Sequence, residues 1–156
     1  MNNDVLFSKA SDEWTTPLDT YDDLDAEFEF ILDAAADSIN RKCWDYRGPD
    51  HERADCRNGL VFDWAASTFV NPPYSQCRAF VAKASEEAAK GNTVVMLVPS
   101  RSDTRRRHEY VWDRSVHAPY PGVEIRFIKG RLKFGNAKNG APFPSVVIVF
   151  RPLEVV

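Results

Sequence analysis

The chain has 156 residues, of which 44% are hydrophobic and 28% are charged, and its formal net charge is −3. This composition is typical of a globular domain that buries about two-thirds of its unfolded surface, and it argues against a disordered or fibrous chain. No apolar run approaches the ~20 residues that cross a bilayer, and the first residues lack the pattern of a signal peptide, so we expect one cytoplasmic domain over residues 1–156 and no membrane association.

The first predicted element is a helix. Thr16 and Pro17 are the residue types expected at an N-cap and at the first helical position. Apolar residues then follow at helical spacing, at Leu18, Tyr21, Leu24 and Phe28. The apolar run Phe30–Leu32 predicts a short buried strand, and the poorly patterned residues 40–60 are expected to hold one more short strand among loops.

The chain has three cysteines, Cys43, Cys56 and Cys77, without CxxC spacing. An odd number of this kind favours reduced thiols over a disulfide framework. A zinc site formed by Cys43, His51 and Cys56 would have a spacing that matches no standard ligand pattern. We therefore expect no bound metal.

Strand and helix signals alternate through the middle of the chain. Phe62–Trp64 and Thr68–Val70 are predicted strands. An amphipathic helix is predicted over residues 77–90 and is expected to end at Gly91. Its inward residues are Phe80, Val81, Ala84 and Ala88. The apolar run Thr93–Val98 predicts a strand buried on both faces of a parallel sheet.

The C-terminal part continues this alternation. A basic helix is predicted near residues 103–112, followed by strands at Glu124–Ile128 and Ser145–Phe150. Strands that alternate with helices predict an α/β domain with a mostly parallel sheet, in which ligands bind at the carboxyl ends of strands. The polar residues at predicted strand ends, which are expected to face one cleft, are Asp33, Asp63, Asn71 and Ser100.

The net charge hides an uneven distribution along the chain. Residues 1–100 carry nine basic and eighteen acidic side chains, a net of −9, whereas residues 101–138 carry ten basic and four acidic ones, a net of +6. A basic segment of this kind is typical of a surface that binds a polyanion. The alternative is a solvated basic surface that acids balance elsewhere, and composition alone does not decide between the two.

The predicted strand Thr68–Val70 is followed by the motif Asn71-Pro72-Pro73-Tyr74. Proline fixes φ at about −65° and lacks an N–H donor, so the two prolines end the strand and hold the next residues in a stiff path. An amide and an aromatic ring therefore bracket a rigid turn. The alternative is a purely structural turn from a strand into a helix.

The ordered set of motifs resembles the phage-type DNA N-6-adenine methyltransferase (Dam) family. Asn71–Tyr74 looks like the catalytic motif of amino methyltransferases. The other matching segments cover most of the chain: Glu13–Pro17, Leu32–Asp37, Asp63–Trp64, Thr93–Ser100, Ile125–Phe134 and Ala141–Ser145. The resemblance implies a Rossmann-like S-adenosylmethionine-dependent methyltransferase fold with an antiparallel strand near the C-terminus. We expect a monomer without a separate target-recognition domain.

The resemblance also implies that Asn71, Pro72, Pro73 and Tyr74 are catalytic. An adenine amine is a poor nucleophile because its lone pair is delocalised into the ring. The Asn71 side-chain oxygen and, by resemblance, the Pro72 carbonyl would hold both N–H hydrogens and stabilise the nitrogen as it becomes positive. Tyr74 would stack on a base that has left the duplex.

The implied methyl donor is S-adenosyl-L-methionine. Asp33–Asp37 takes the place of the usual glycine-rich loop, with alanines where that pattern has glycines. Asp33 is expected to bind the cofactor's ammonium and Asp63 its adenine amine, while Thr16-Pro17 closes over the ammonium end. The expected cofactor-binding residues are thus Thr16, Pro17, Asp33, Ala34, Ala35 and Asp63. Asp45 and Asp50 are weak candidates for binding the ribose.

DNA is the expected partner, in a bacterial host whose phage or prophage encodes the protein. The residues expected to bind DNA are Arg101, Arg105, Arg106, Lys129, Arg131 and Lys133. The same motif also serves RNA adenine and protein glutamine methyltransferases, and a non-catalytic DNA-binding relative is a further alternative. The basic segment favours a nucleic acid over a protein, and the intact motif favours an enzyme.

Overall fold

The computed structural model describes residues 15–100, 107–133 and 144–153. Its longer helices are α1 (Leu18–Phe28) and α2 (Cys77–Ala89). Its strands are β1 (Leu32–Asp33), β2 (Asp45–Tyr46), β3 (Ser67–Val70), β4 (Thr93–Pro99), β5 (Trp112–Asp113), β6 (Ala118–Pro119), β7 (Val123–Phe127) and β8 (Ser145–Phe150). Short helical turns lie at Ala54–Cys56, Tyr74–Gln76 and Arg107–Val111.

Six of these strands form the central sheet, in the order β2-β1-β3-β4-β8-β7. The pairs among β1, β2, β3 and β4 are parallel, whereas β8 is antiparallel to both β4 and β7. The remaining two strands, β5 and β6, form a separate antiparallel pair. The prediction of a mostly parallel sheet with an antiparallel strand near the C-terminus is confirmed.

The packing of β4 on both faces of the sheet explains why its sequence is apolar throughout. Val94, Met96 and Val98 pack into the core cluster on the α2 side of the sheet, which also contains Phe80 and Val81. The alternate residues of β4 pack into a second cluster with side chains of α1: Val95 and Leu97 with Tyr21 and Leu24. Because successive side chains of a strand point to opposite faces, a strand covered by a helix on each face must be apolar at every position.

Several predicted boundaries are wrong. The first strand starts at Leu32 rather than Phe30, because the Phe30 N–H donates to the Asp25 carboxylate at the end of α1. Phe62–Trp64 is not a strand, since the Trp64 indole folds back and donates to the Gly59 carbonyl over 2.7 Å.

Of the basic helix predicted near 103–112, residues 103–106 lie outside the described residues. From Arg107 the chain forms a single helical turn to Val111, and β5 begins at Trp112, so only the C-terminal bound of the prediction can be compared with the structure. No helix in the described part of the chain has the length and apolar character needed to cross a bilayer.

Candidate active site

The strand order places a cleft beside β1 and β3. The chain leaves β1 for β2 on one side, while β3 pairs with the other side of β1, so the connections diverge between β1 and β3. Ligands of open α/β sheets bind at such a switch point, beyond the carboxyl ends of the strands. A cleft of about 500 Å³ lies there. Its walls are residues 15–16, 33–37, 47–49 and 57–59 with Asn40, Lys42, Phe69, Asn71, Pro73, Ser75, Gln76 and Phe80.

Asp33, the last residue of β1, is a buried carboxyl in the wall of this cleft. Its Oδ2 accepts from the Lys42 backbone N–H at 3.0 Å. Its Oδ1 is buried and has no hydrogen-bond partner among the described residues. Burial raises the pKa of Asp33 from 3.8 to about 7, against the opposing effect of the hydrogen bond from the Lys42 backbone N–H. A carboxylate in this state favours a cationic or donor group that enters the cleft.

The loop after Asp33 is held by glycines on the facing segments. A Cβ at Gly48 would lie 1.6 Å from the Ala36 carbonyl oxygen, and a Cβ at Gly59 would lie 2.1 Å from that of Ala34. Both glycines line the cleft. In the usual pattern the loop itself carries the glycines that allow close backbone approach. Here Gly48 and Gly59 allow it from the facing segments, opposite Ala36 and Ala34.

Asn71 follows β3 and faces the same cleft from the other side. Its Nδ2 donates to the Thr16 hydroxyl oxygen at 2.9 Å, which ties the strand end to the segment before α1. Thr16 was expected as the N-cap of α1, but the helix starts at Leu18 with Pro17 in the N-cap position. The Thr16 side chain is thus directed to Asn71.

The two prolines after Asn71 form the rigid turn expected from the sequence. Pro73 has φ −54° and ψ 135°, and its carbonyl accepts from the Gln76 N–H at 3.0 Å as the turn Tyr74–Gln76 begins. Pro73 lines the cleft, Pro72 is buried, and Tyr74 is half-buried. Pro72 and Tyr74 do not belong to the walls of the cleft, and neither does Pro17.

Comparison with known proteins identifies the family. A family model described as DNA N-6-adenine-methyltransferase (Dam) matches residues 5–155. The chain belongs to this family. It is also similar to a protein of Escherichia phage T1 named DNA N-6-adenine-methyltransferase, at 29% identity over 159 aligned positions. That alignment covers 92% of this chain but 64% of the phage protein, so the chain spans less than two-thirds of its relative.

Asp63 does not lie where this Dam-family chain was expected to place it. It precedes β3 instead of ending a strand, is exposed, and pairs with Lys90 at 2.8 Å just after α2. The Lys90 ammonium lowers the pKa of Asp63. Because α2 ends before the start of β4, this pair lies on the side of the sheet where the parallel strands begin, which we call the amino edge. The cleft lies at the opposite, carboxyl edge, where these strands end. Ser100 follows β4 as predicted but is not part of the cleft walls.

Several residues of the cleft were missed in the sequence, most of them in the poorly patterned stretch 40–60. Lys42, Arg47 and Asn58 all line the cleft. Arg47 follows β2, and its guanidinium donates to Asp45 at 2.7 Å while its buried Nε has no partner among the described residues. Strand β2 has only two residues, so no periodicity marks its end. The acidic Asp50 is engaged by Ser38 at 2.6 Å.

The predicted DNA-binding residues fall partly outside the described residues, as Arg101, Arg105 and Arg106 do. Lys129, Arg131 and Lys133 follow β7 and are exposed. Since β7 and β4 are both antiparallel to β8, they run in the same direction, and the end of β7 lies at the same edge of the sheet as Asn71. Within the described ranges, no group of three or more His, Cys, Asp and Glu side chains is arranged to hold a metal ion.

Proposed function

We propose that this chain is a site-specific DNA adenine-N6 methyltransferase that uses S-adenosyl-L-methionine. The observation that carries the proposal is the meeting of Asp33 and Asn71 in one cleft at the switch point of a mostly parallel sheet. Membership of the Dam family and the name of the phage T1 relative support the same reaction and substrate. They also favour DNA over the RNA and protein substrates left open by the motif alone.

The residues of the cleft fit this cofactor. The buried Asp33 Oδ1, without a partner among the described residues, is the acceptor that an α-ammonium group requires. A cleft of about 500 Å³ is within the usual size range of cofactor sites. When bound, S-adenosyl-L-methionine supplies an electrophilic methyl group on a sulfonium, within a Rossmann-like methyltransferase fold. Ala34 and Ala35 would form the floor beside it, since both line the cleft.

Asn71 and Pro72 would activate the target amine. The Asn71 Nδ2 is directed to Thr16, so the Oδ1 of the same carboxamide is directed away from Thr16 and can accept one amine hydrogen. The Pro72 carbonyl accepts the other. With both hydrogens held in this way, the nitrogen lone pair would be free to take up a methyl group, and the nitrogen would then lose a proton to solvent. Preorganised acceptors of this kind stabilise charge that develops in the transition state.

The adenine must leave the duplex to reach the cleft, because its amine is paired inside the helix. Tyr74, which begins the turn after the two prolines, would stack on the extruded base. Lys129, Arg131 and Lys133 at the same sheet edge would bind the DNA backbone as part of the basic segment. The relative from an Escherichia phage favours a bacterial host, in whose cytoplasm the enzyme would act as a monomer.

The proposal is tested by incubating the protein with unmethylated DNA and methyl-labelled S-adenosyl-L-methionine, followed by digestion to nucleosides. We expect label in N6-methyl-2′-deoxyadenosine from DNA and none in RNA of the same sequence or in a glutamine-containing peptide. Asn71→Ala is the matched control for contaminating activity. Label in RNA or peptide alone would contradict the choice of substrate, and absence of label from every substrate would contradict the reaction.

A further inference from the structure

A hydrogen bond ties Thr16, just before α1, to the Asn71–Tyr74 motif. Asn71 Nδ2 donates to Thr16 Oγ1 at 2.9 Å, across 55 residues of sequence. Thr16 is buried, with 5% of its surface exposed. Its hydroxyl does not cap the helix that follows, since the start of α1 has no side-chain cap hydrogen bond. The contact of this buried hydroxyl is therefore with the motif and not with its own helix.

The two ends of a carboxamide have nearly the same shape and opposite chemistry. The oxygen only accepts hydrogen bonds and the NH₂ group only donates them. The torsion that exchanges them is broad, so neighbouring groups must decide which end faces a ligand. In methyl transfer to an amine, the oxygen of Asn71 must face the target. If the amide were inverted, its NH₂ group would face the N–H groups of the amine, and two donors form no hydrogen bond. The reaction therefore requires a group that holds the Asn71 NH₂ away from the target.

The backbone on both sides of this hydrogen bond is stiff. Thr16 precedes Pro17 and Asn71 precedes Pro72. A residue before proline is confined to extended conformations, so neither partner can easily move away by backbone rotation. A hydrogen bond in a buried, low-dielectric setting is also stronger than one in water.

We propose that Thr16 is a positioning residue, which holds the Asn71 carboxamide with its oxygen toward the target amine. This inference rests on the proposed function and deepens it. It gives Thr16 a role different from the cofactor contact expected from the sequence. Thr16 acts through Asn71, so its loss affects the rate of the chemical step and leaves cofactor affinity nearly intact.

The kinetic test compares two substitutions at this position. Thr16→Val keeps the branched shape and removes the hydroxyl, whereas Thr16→Ser keeps the hydroxyl. We expect kcat to fall roughly tenfold in Thr16→Val, the effect of losing one buried hydrogen bond that aligns a reacting group. Cofactor Kd, measured by calorimetry, changes less than about twofold, and Thr16→Ser restores most of kcat. Thr20→Val, the same change at a half-buried position of α1 outside the cleft, is the matched control and keeps the wild-type kcat.

A second readout needs no turnover. The side-chain amide of Asn71 gives an NMR signal pair that is assigned by its loss in Asn71→Asp. We expect slow hydrogen exchange at this amide in the wild type and in Thr16→Ser, and fast exchange in Thr16→Val. These signals report the hydrogen bond even in a protein that does not methylate DNA.

Three results would overturn the inference: wild-type kcat in Thr16→Val, a raised cofactor Kd with unchanged kcat, or equal impairment of the Ser and Val variants. The second assigns Thr16 to the cofactor site and the third to packing. Slow exchange at Asn71 in a wild type that methylates no DNA would contradict the proposed function itself, while leaving the hydrogen bond in place.

Discussion

Two buried carboxyl groups lie at opposite edges of the same sheet and differ in their hydrogen-bond partners. Glu87, near the end of α2 at the amino edge, is fully buried and accepts from Lys83 at 3.1 Å and from Asn92 at 2.8 Å. Asp33, at the carboxyl edge, is almost as buried but has one oxygen without a partner among the described residues.

The pKa values follow this difference. Burial raises the pKa of Glu87, but the hydrogen bonds from Asn92 and Lys83 outweigh it and hold the pKa below its ordinary value. Burial of Asp33 prevails and raises its pKa to about 7. A buried carboxylate whose partners belong to the protein stabilises the fold, whereas one that lacks a partner marks a place for a ligand. The comparison thus separates the edge of the sheet whose buried carboxyl group has partners within the protein from the edge that holds the candidate site.

The largest expected effect is the loss of methyl transfer in Asn71→Ala, which is compared with Asn92→Ala at the amino edge. Asn71→Ala removes the acceptor for the target amine, and we expect methyl transfer to fall by roughly 10²–10³-fold with cofactor binding retained. Asn92→Ala removes a hydrogen bond to Glu87 and should lower stability by about 1–2 kcal/mol with kcat unchanged. Labelled-methyl transfer and urea unfolding measure the two quantities. More than a tenth of the wild-type rate in Asn71→Ala would remove Asn71 from the chemistry.

A second prediction concerns Glu87 itself. Glu87→Gln leaves the ammonium of Lys83, whose side chain is 9% exposed, without its counter-charge. Breaking a buried ion pair in this way is costly, so the free energy of unfolding should fall by about 2–4 kcal/mol. Cofactor affinity measured by calorimetry on the folded variant should match the wild type. A loss of affinity without a loss of stability would reverse the roles of the two edges.

The sequence predicted the fold best where long, regular elements bury a face. The helix predicted over 77–90 and the strands Thr93–Val98 and Ser145–Phe150 lie within about one residue of the observed elements, because their periodicity reflects burial directly. Phe62–Trp64 differs, since Phe62 and Asp63 are exposed and Trp64 alone is buried, packing against Phe80 from a loop. Local pattern does not distinguish these two causes of burial.

The site was predictable at strand ends and not elsewhere. Asp33 ends one recognisable strand and Asn71 follows another, and both line the cleft, as expected of residues at strand ends. The placement of Asp63 failed together with the strand that it was expected to end. Lys42 lies in a loop and Arg47 follows a strand of only two residues, so no periodicity in the sequence marks their place in the cleft. The Thr16–Asn71 contact joins distant segments and required the structure.

The raised pKa of Asp33 predicts that cofactor affinity depends on pH, a dependence not expected from the carboxyl groups at the amino edge. Only the carboxylate form binds an ammonium, so cofactor Kd should rise by up to about tenfold per pH unit below about pH 7. The cofactor's own amine loses its proton at about pH 8, which weakens binding at higher pH. Calorimetry from about pH 5 to about pH 9 should therefore give an optimum between these values. Asp33→Asn should lose the acidic limb; an unchanged limb would assign it to another group.

The smallest effect expected is on DNA binding, where lysines at the two edges are compared. Lys133→Ala should weaken binding to all sequences and flatten the slope of log affinity against log salt by about one unit. Lys90→Ala, at the amino edge beside Asp63, should keep the wild-type slope. Equal slopes in both variants would show that Lys133 belongs to a solvated surface and that DNA lies elsewhere.

The most direct test of the account is the melting temperature of Asp33→Asn at about pH 8, with and without S-adenosyl-L-methionine, beside the wild type and Asp63→Asn. The folded pKa of Asp33 lies above its unfolded value of 3.8, so its contribution to stability is present below about pH 4 and is lost as pH rises to about 7. We therefore predict that Asp33→Asn melts above the wild type without cofactor and gains no stability from it, while Asp63→Asn shows the wild-type gain. A wild-type gain in Asp33→Asn would contradict the assignment of this cleft to the cofactor.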